Sequence, residues 1–153
     1  MPVIFTKGDL LHTDGVRAFA HACDATFAMD KGLSLAFAKR WPALQGELSR
    51  VAATRKIEPG DVLAWAAEDV VVYSLVLQRA PDKPAKMAAL ERALRGLMDQ
   101  AVADGRLEVA MGRLGAGAPG LDWTRVKKVM TELTADSPVS LLVFEQFVRD
   151  RPA

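Results

Sequence analysis

The stretch that most constrains this chain is Glu108-Val109-Ala110-Met111-Gly112-Arg113-Leu114-Gly115-Ala116-Gly117-Ala118-Pro119-Gly120-Leu121-Asp122-Trp123. An apolar run ends, small residues and a proline follow, and an amphipathic period begins near Asp122. Read as strand, glycine loop and helix, this order sets free backbone N–H groups and a positive helix end beside the carboxyl end of a strand. Anions such as pyrophosphate bind at such places in open α/β sheets. A tight connection with no ligand has the same pattern, so the rest of the chain must decide. The glycine spacing matches neither the P-loop, since no lysine follows, nor the dinucleotide fingerprint, since it lies late in the chain.

Taken in order, Val3 to Thr6 is a short strand that stops at Lys7-Gly8-Asp9-Leu10-Leu11. Val16 to Cys23 is a second apolar run, expected as a central strand. It breaks at Asp24 to Gly32, a second loop into a helix, because Leu33, Leu35, Ala36, Phe37 and Trp41 fall at helical spacing. Pro42 begins another helix with Leu44, Leu48 and Val51 inward. The runs 61–65 and 70–77 form a hairpin about Ala66-Ala67-Glu68-Asp69. From Ala85 to Ala103, Met87, Leu90, Leu94, Leu97, Met98 and Val102 trace one face of a long helix that ends at Asp104-Gly105. Strand 107–111, a helix from Asp122 (its N-cap) to about Thr134, and a last strand 139–144 complete the chain. Alternating strands and helices argue for a three-layer α/β/α domain with a mixed central sheet.

At 153 residues the chain is long enough for one domain with its own core. A formal charge of +1, with both signs interspersed, gives no bulk electrostatic footprint for nucleic acid. The single cysteine, Cys23, excludes a disulfide framework and a cysteine zinc site and suits a reducing cytoplasm. No apolar run approaches the roughly 18 residues of a membrane span.

The two glycine loops, with Asp9 after a third strand, would form one cleft at one edge of the sheet, suited to a diphosphate. Asp9 reads as a turn residue or as a ligand for an amino or hydroxyl group. Asp24 and Asp30 could activate a water, and solvated loop acids look the same. Lys31 and Arg79 could meet phosphate or a leaving carboxylate, or be ordinary surface charges. His21 reads as a satisfied core histidine, His12 as a solvated loop residue, and Cys23 as a small buried apolar residue. Ser34 and Ser74 lack a nucleophile-elbow context. No spacing suits a metal, and no cofactor is expected.

Four stretches in order resemble a macrodomain: Lys7-Gly8-Asp9-Leu10; His21-Ala22-Cys23; Met29-Asp30-Lys31-Gly32-Leu33 followed by Phe37-Ala38-Lys39-Arg40-Trp41-Pro42; and Arg113 to Gly117 running into Gly120-Leu121-Asp122-Trp123. They look most like the branch holding the terminal ADP-ribose glycohydrolase and the antitoxin macrodomains that clear ADP-ribose from DNA. The resemblance implies one macrodomain over residues 1–153 with an ADP-ribose cleft. In it Asp9 would hold the adenine amino group beside Gly8 and Leu10. Lys31, Gly32 and Leu33 would pass the distal ribose and phosphate. Leu114, Gly115, Ala116, Gly117, Ala118 and Pro119 would wrap the pyrophosphate. The chain departs from the glycohydrolase relatives in three places. Asp30 stands where a glycine usually follows the methionine, Leu77-Gln78 precedes Arg79-Ala80 where a catalytic lysine belongs, and Pro119 stands where the catalytic aspartate falls. Hydrolysis here would therefore use another route, with Asp30 or Asp24 assisting. The expected activity is release of ADP-ribose from glutamate or aspartate esters on a modified protein, or from nucleic acid, by a cytoplasmic monomer with no membrane partner. The competing readings are a reader of ADP-ribose that does no chemistry and a nucleotide-binding domain for another ligand.

Overall fold

A computed structural model describes residues 3–115 and 118–148. Ala116 and Gly117 of the expected pyrophosphate loop lie outside the described residues. The strands are β1 (Val3–Gly8), β2 (Ala18–Asp24), β3 (Val62–Ala67), β4 (Val70–Gln78), β5 (Glu108–Gly112) and β6 (Ser140–Phe147); the helices are α1 (Gly32–Arg40), α2 (Ala43–Thr54), α3 (Met87–Ala103) and α4 (Trp123–Thr134). They form a six-stranded sheet in the order β1-β6-β5-β2-β4-β3. Only the β3–β4 pair is antiparallel, so the sheet is mixed.

The sequence pattern explains which strands are central. Seven consecutive residues of β4, Val71 to Leu77, are buried, as expected of a strand covered on both faces. Alternate residues of β2 and β4 feed two separate cores. Ala18, Ala20, Val71, Tyr73, Leu75 and Leu77 face α3 and α4. Phe19, Cys23, Val72 and Val76 face α1 and α2, where Phe37, Trp41, Leu44 and Leu48 meet them. This is the three-layer α/β/α arrangement expected from the alternation of strands and helices. On α3, Leu90, Ala93, Leu94, Leu97, Met98 and Ala101 are buried at three- and four-residue spacing. Each large side chain removed from water there contributes about 2 kcal/mol.

Some boundaries move. Val102, expected on the inner stripe of α3, is 49% exposed. Steps of about 100° per residue carry it past Met98 and off the buried face. Leu107 lies before β5 and is exposed; its carbonyl accepts from Ser140 N (2.8 Å), so it joins the sheet by its backbone alone. The hairpin turn shortens to Glu68-Asp69, with Glu68 at φ 51°, because Ala66 and Ala67 pair with Val71 and Val70. Asp122 holds the N-cap position of α4, yet no side-chain capping bond forms there.

All parallel strands point their carboxyl ends to one edge, where the loops after β1, β2, β4 and β5 emerge. That edge positions the site.

Candidate functional site

At this edge β2, β4 and β5 end around a cavity of about 380 Å³. Three segments wall it: the first loop after β2, the loop after β4, and the glycine loop after β5. Of the residues expected from the sequence, Asp24, Asp30, Lys31, Gly32, Leu33, Leu114, Gly115 and Ala118 line it. Gly8, Asp9, Leu10, Arg79 and Pro119 are not among its lining residues. Gly8 ends β1 at the same sheet edge and Asp9 follows it, with its Oδ2 accepting from His12 Nδ1 at 2.8 Å. Leu10 is buried in the core beneath α1 and α2. The Arg79 guanidinium lies on the surface, 3.8 Å from Glu58. The Pro119 carbonyl accepts from Ala85 N at 2.8 Å, which ties the glycine loop to the segment before α3.

The first loop is held rigidly although its residue types do not favour it. Phe27 and Met29 have φ of 53° and 45°, in the left-handed region that non-glycine residues avoid. Each such residue costs about 1–3 kcal/mol and persists only where its surroundings over-determine it. Here both side chains are buried among Phe37, Trp41 and Leu44. Gln45 Nε2 donates to Phe27 O (2.7 Å) and Ala28 O (3.0 Å) from α2. The Asp24 carboxylate accepts from the backbone N–H (2.7 Å) and the hydroxyl of Thr26. Asp24 is thus engaged in holding its own turn. Asp30, on the rim of the same loop, is exposed, and no hydrogen bond or ion pair engages it among the described residues.

The loop delivers the chain into α1, whose first residues Gly32, Leu33 and Ser34 line the cavity with no side-chain cap at Lys31. Uncapped N–H groups at a helix start carry partial positive charge. The helix end at the cavity is therefore that of α1; Trp123, the first residue of α4, does not line it. Opposite, Gly112 meets α1: a Cβ there would lie 2.8 Å from Leu33 Cδ2. Gly115 has φ 75°, and a Cβ on it would lie 2.5 Å from Leu121 Cδ1, so the glycine loop folds over Leu121 only because that side chain is missing.

The floor is polar in one place. His21, from β2, is buried; its Nδ1 lies 3.0 Å from Ser34 Oγ and its Nε2 lies 2.6 Å from Ser74 Oγ. Ser34 donates its single proton to Ala22 O at 2.8 Å. By donor counting, Nδ1 carries the imidazole proton and Nε2 accepts from Ser74. Burial lowers the His21 pKa to about 4, so the ring is neutral at pH 7. With its proton on Nδ1, the ring cannot accept one from Ser34, which excludes a Ser34 nucleophile in this arrangement. The Cys23 thiol is pushed upward by burial and then by Asp24, and it contacts Leu75 O at 3.5 Å; it is a core residue.

Lining residues outside the expected set include Ser34, Leu77, Gln78, Pro81, Gly112 and Arg113. Gln78 Nε2 bonds Pro81 O (3.2 Å) and Lys83 O (2.6 Å), which orders the loop after β4. Among the described residues no group of three His, Cys, Asp or Glu could hold a metal, and no helix is long and apolar enough to cross a membrane.

Comparison with known proteins agrees with this geometry. The model of the Macro domain family matches residues 20–130. The chain is similar to the ADP-ribose glycohydrolase OARD1 of Homo sapiens, with 20% identity over 93% of this chain and 90% of that protein. Among solved structures it resembles the macrodomain of Thermus aquaticus DarG, with TM-score 0.83 and 22% identity over 94% of this chain and 97% of that one. It also resembles Thermosipho africanus DarTG, solved in complex with ADP-ribose, with TM-score 0.81 and 16% identity over 99% of this chain and 43% of that one.

Proposed function

This chain belongs to the Macro domain family, and we propose that it hydrolyses ADP-ribose from glutamate or aspartate esters on modified targets. The observation that carries the proposal is the unengaged Asp30 carboxylate at the rim of a cavity that also holds an uncapped helix start and a glycine loop. The amide-rich walls suit the diphosphate. The glycohydrolase named above supports the reaction, and the ADP-ribose complex named above supports the ligand.

The ester linkage is supported by the residues that stand at three described positions. Leu77 and Pro119 stand where the resemblance expects a lysine and an aspartate, and His21 is neutral and buried. A serine ether leaves as an alkoxide and needs a proton, whereas a carboxylate leaving group of pKa about 4.3 does not. In the proposed step a water attacks C1 of the distal ribose and gives its proton to Asp30. The bond from that carbon to the ester oxygen breaks, and its electron pair leaves on the target carboxylate. Positioning and electrostatic stabilisation supply the remaining acceleration. Asp24, fixed by Thr26, orients the loop that carries Asp30. Asp9 holds the amino group of the base, and Lys31, which lines the cavity, meets phosphate or the departing carboxylate; Arg79, beside Glu58 on the surface, lies outside the cavity and is left out of the step. The active species is a cytoplasmic monomer with residues 1–153 as one domain.

The test is timed release of ADP-ribose from glutamate-modified protein, beside serine-modified protein and modified DNA. Asp30→Asn should lower kcat on the glutamate substrate about 10²-fold or more with little change in KM. Release unaffected by that substitution would remove Asp30 from the chemistry. Leu77 and Pro119 favour a second reading, a reader of ADP-ribose. Binding with no release from any of the three substrates would establish it.

A further inference from the structure

A second cavity, of about 440 Å³, opens at the amino end of the same central strands. Arg17, one residue before β2, and Val70, the first residue of β4, line it together with Arg40 and Trp41 at the end of α1 and residues 11–16. None of its lining residues lines the first cavity. Its apolar floor is firmly packed. Val16, Phe19 and Trp41 are buried, and the Trp41 ring meets those of Phe19 (5.2 Å) and Phe37 (5.3 Å). The Arg40 guanidinium carbon sits 5.3 Å over the same ring.

The charges around this cavity are unequally engaged. Arg17 Nε meets Asp69 Oδ2 at 3.1 Å, and His12 Nδ1 meets Asp9 Oδ2 at 2.8 Å. Among the described residues no carboxylate pairs with Arg40, whose contact is the Trp41 ring. The Arg17–Asp69 pair is exposed on both sides, so it contributes little and yields readily to a doubly charged acceptor. Asp14 is the one carboxylate of the lining, and it is exposed. The chain turns there through Thr13-Asp14-Gly15-Val16, with Gly15 at φ 82°. The N–H groups of Asp14, Gly15 and Val16 donate to no protein group among the described residues. A Cβ on Gly15 would meet nothing within 4 Å, so open space adjoins the turn. A turn through left-handed backbone gathers successive N–H groups on one concave side, a geometry that binds anions.

We propose that this second cavity binds the phosphomonoester of a small molecule, with Arg40 as its anchor, Arg17 and the turn at Gly15 as further donors, and the apolar floor against the body of the ligand. A guanidinium is a planar fork of donors that matches two phosphate oxygens at once. A concave cavity with an apolar floor and a few convergent polar groups suits a small ligand. A nucleic-acid strand needs a continuous basic track, which a chain of formal charge +1 with interspersed signs does not offer. The inference is independent of the function proposed above, because it rests on residues outside the first cavity.

The test is calorimetry with three probes: inorganic phosphate, phenyl phosphate, and a short DNA oligonucleotide without terminal phosphates. Phenyl phosphate should bind more tightly than inorganic phosphate, because its ring reaches the floor. Arg40→Gln should weaken both about tenfold, and Arg40→Lys, which keeps the charge and loses the fork, should weaken them less. Asp14→Asn should tighten both, since it removes the one negative charge of the lining. Should Arg40→Gln fail to fold, Asp14→Asn, a change at an exposed turn, carries the test by itself. Phosphate binding that Arg40→Gln leaves unchanged would place the anion elsewhere and overturn the proposal. Weaker binding in Asp14→Asn would overturn it too, as would wild-type protein that binds neither phosphate. An oligonucleotide that binds as tightly as phenyl phosphate, and is lost with Arg40→Gln, would replace the small molecule by a nucleic-acid strand.

Discussion

The two loops that face each other across the cavity reach left-handed backbone by opposite means. The first, from Asp24 to Lys31, passes through left-handed backbone at Phe27 and Met29, residues that resist it. Their rings and chains are buried, so the core pays for the strain. The second, from Leu114 to Asp122, reaches the same kind of backbone at Gly115 (φ 75°) and Gly120 (φ 98°) without strain. Among its described residues it is tied by backbone bonds, Ala118 N to Gly115 O and Ala85 N to Pro119 O, and by Leu114 in the core. The first loop therefore changes only if the core opens.

This contrast can be broken from either side. Phe27→Ala should have the largest effect, about 3–5 kcal/mol lost in urea unfolding, because the ring that over-determines the first loop is gone. A loss below about 1 kcal/mol would show that the loop does not depend on its own side chain.

Acid tests the floor from which that loop springs. His21 has its folded pKa depressed to about 4 from 6.5, so the unfolded chain binds the proton more readily. Stability from this group is complete above pH 6.5 and is lost as pH falls toward 4, about 3 kcal/mol in all at roughly 1.4 kcal/mol per unit. Urea midpoints at pH 7.5 and 4.5 should show the fall in wild type, and a smaller one in His21→Gln.

Gly115→Ala should have the smallest effect on stability, about 1–2 kcal/mol, from an L-residue forced into left-handed backbone. Its effect on ADP-ribose affinity should exceed that of Phe27→Ala measured at a temperature where both variants are folded. Equal effects would mean that the second loop has no separate part in binding.

The strand and helix order was legible because apolar periods and glycine breaks are local signals. The cleft was legible for a related reason: parallel strands separated by helices must all end at one edge. What escaped was set by long-range partners. The positive φ of Phe27 and Met29 comes from burial against α1 and α2, and nothing in those residue types announces it. The acceptor of the Trp123 indole N–H is Glu145, which β6 delivers from 22 residues further along the chain. Ser34 and Ser74, which carry no motif, both meet His21 only because β4 lies beside β2 and α1 packs over it. Val102 and Leu107 failed the other way, since an apolar residue near the end of an element can point to water at little cost.

The chain of hydrogen bonds on the floor also has a direction. Donation runs from Ser74 to His21, from His21 to Ser34, and from Ser34 to the Ala22 carbonyl. With its one proton committed and one lone pair taken, Ser34 offers the cavity a single remaining lone pair. A hydroxyl of a sugar can donate to it; a phosphate or a carboxylate, having nothing to donate, is turned away from that point toward the helix start and the glycine loop. The polarity of two buried side chains and the half-buried Ser34 would thus sort the uncharged part of a ligand from its charged part before any ion pair is formed.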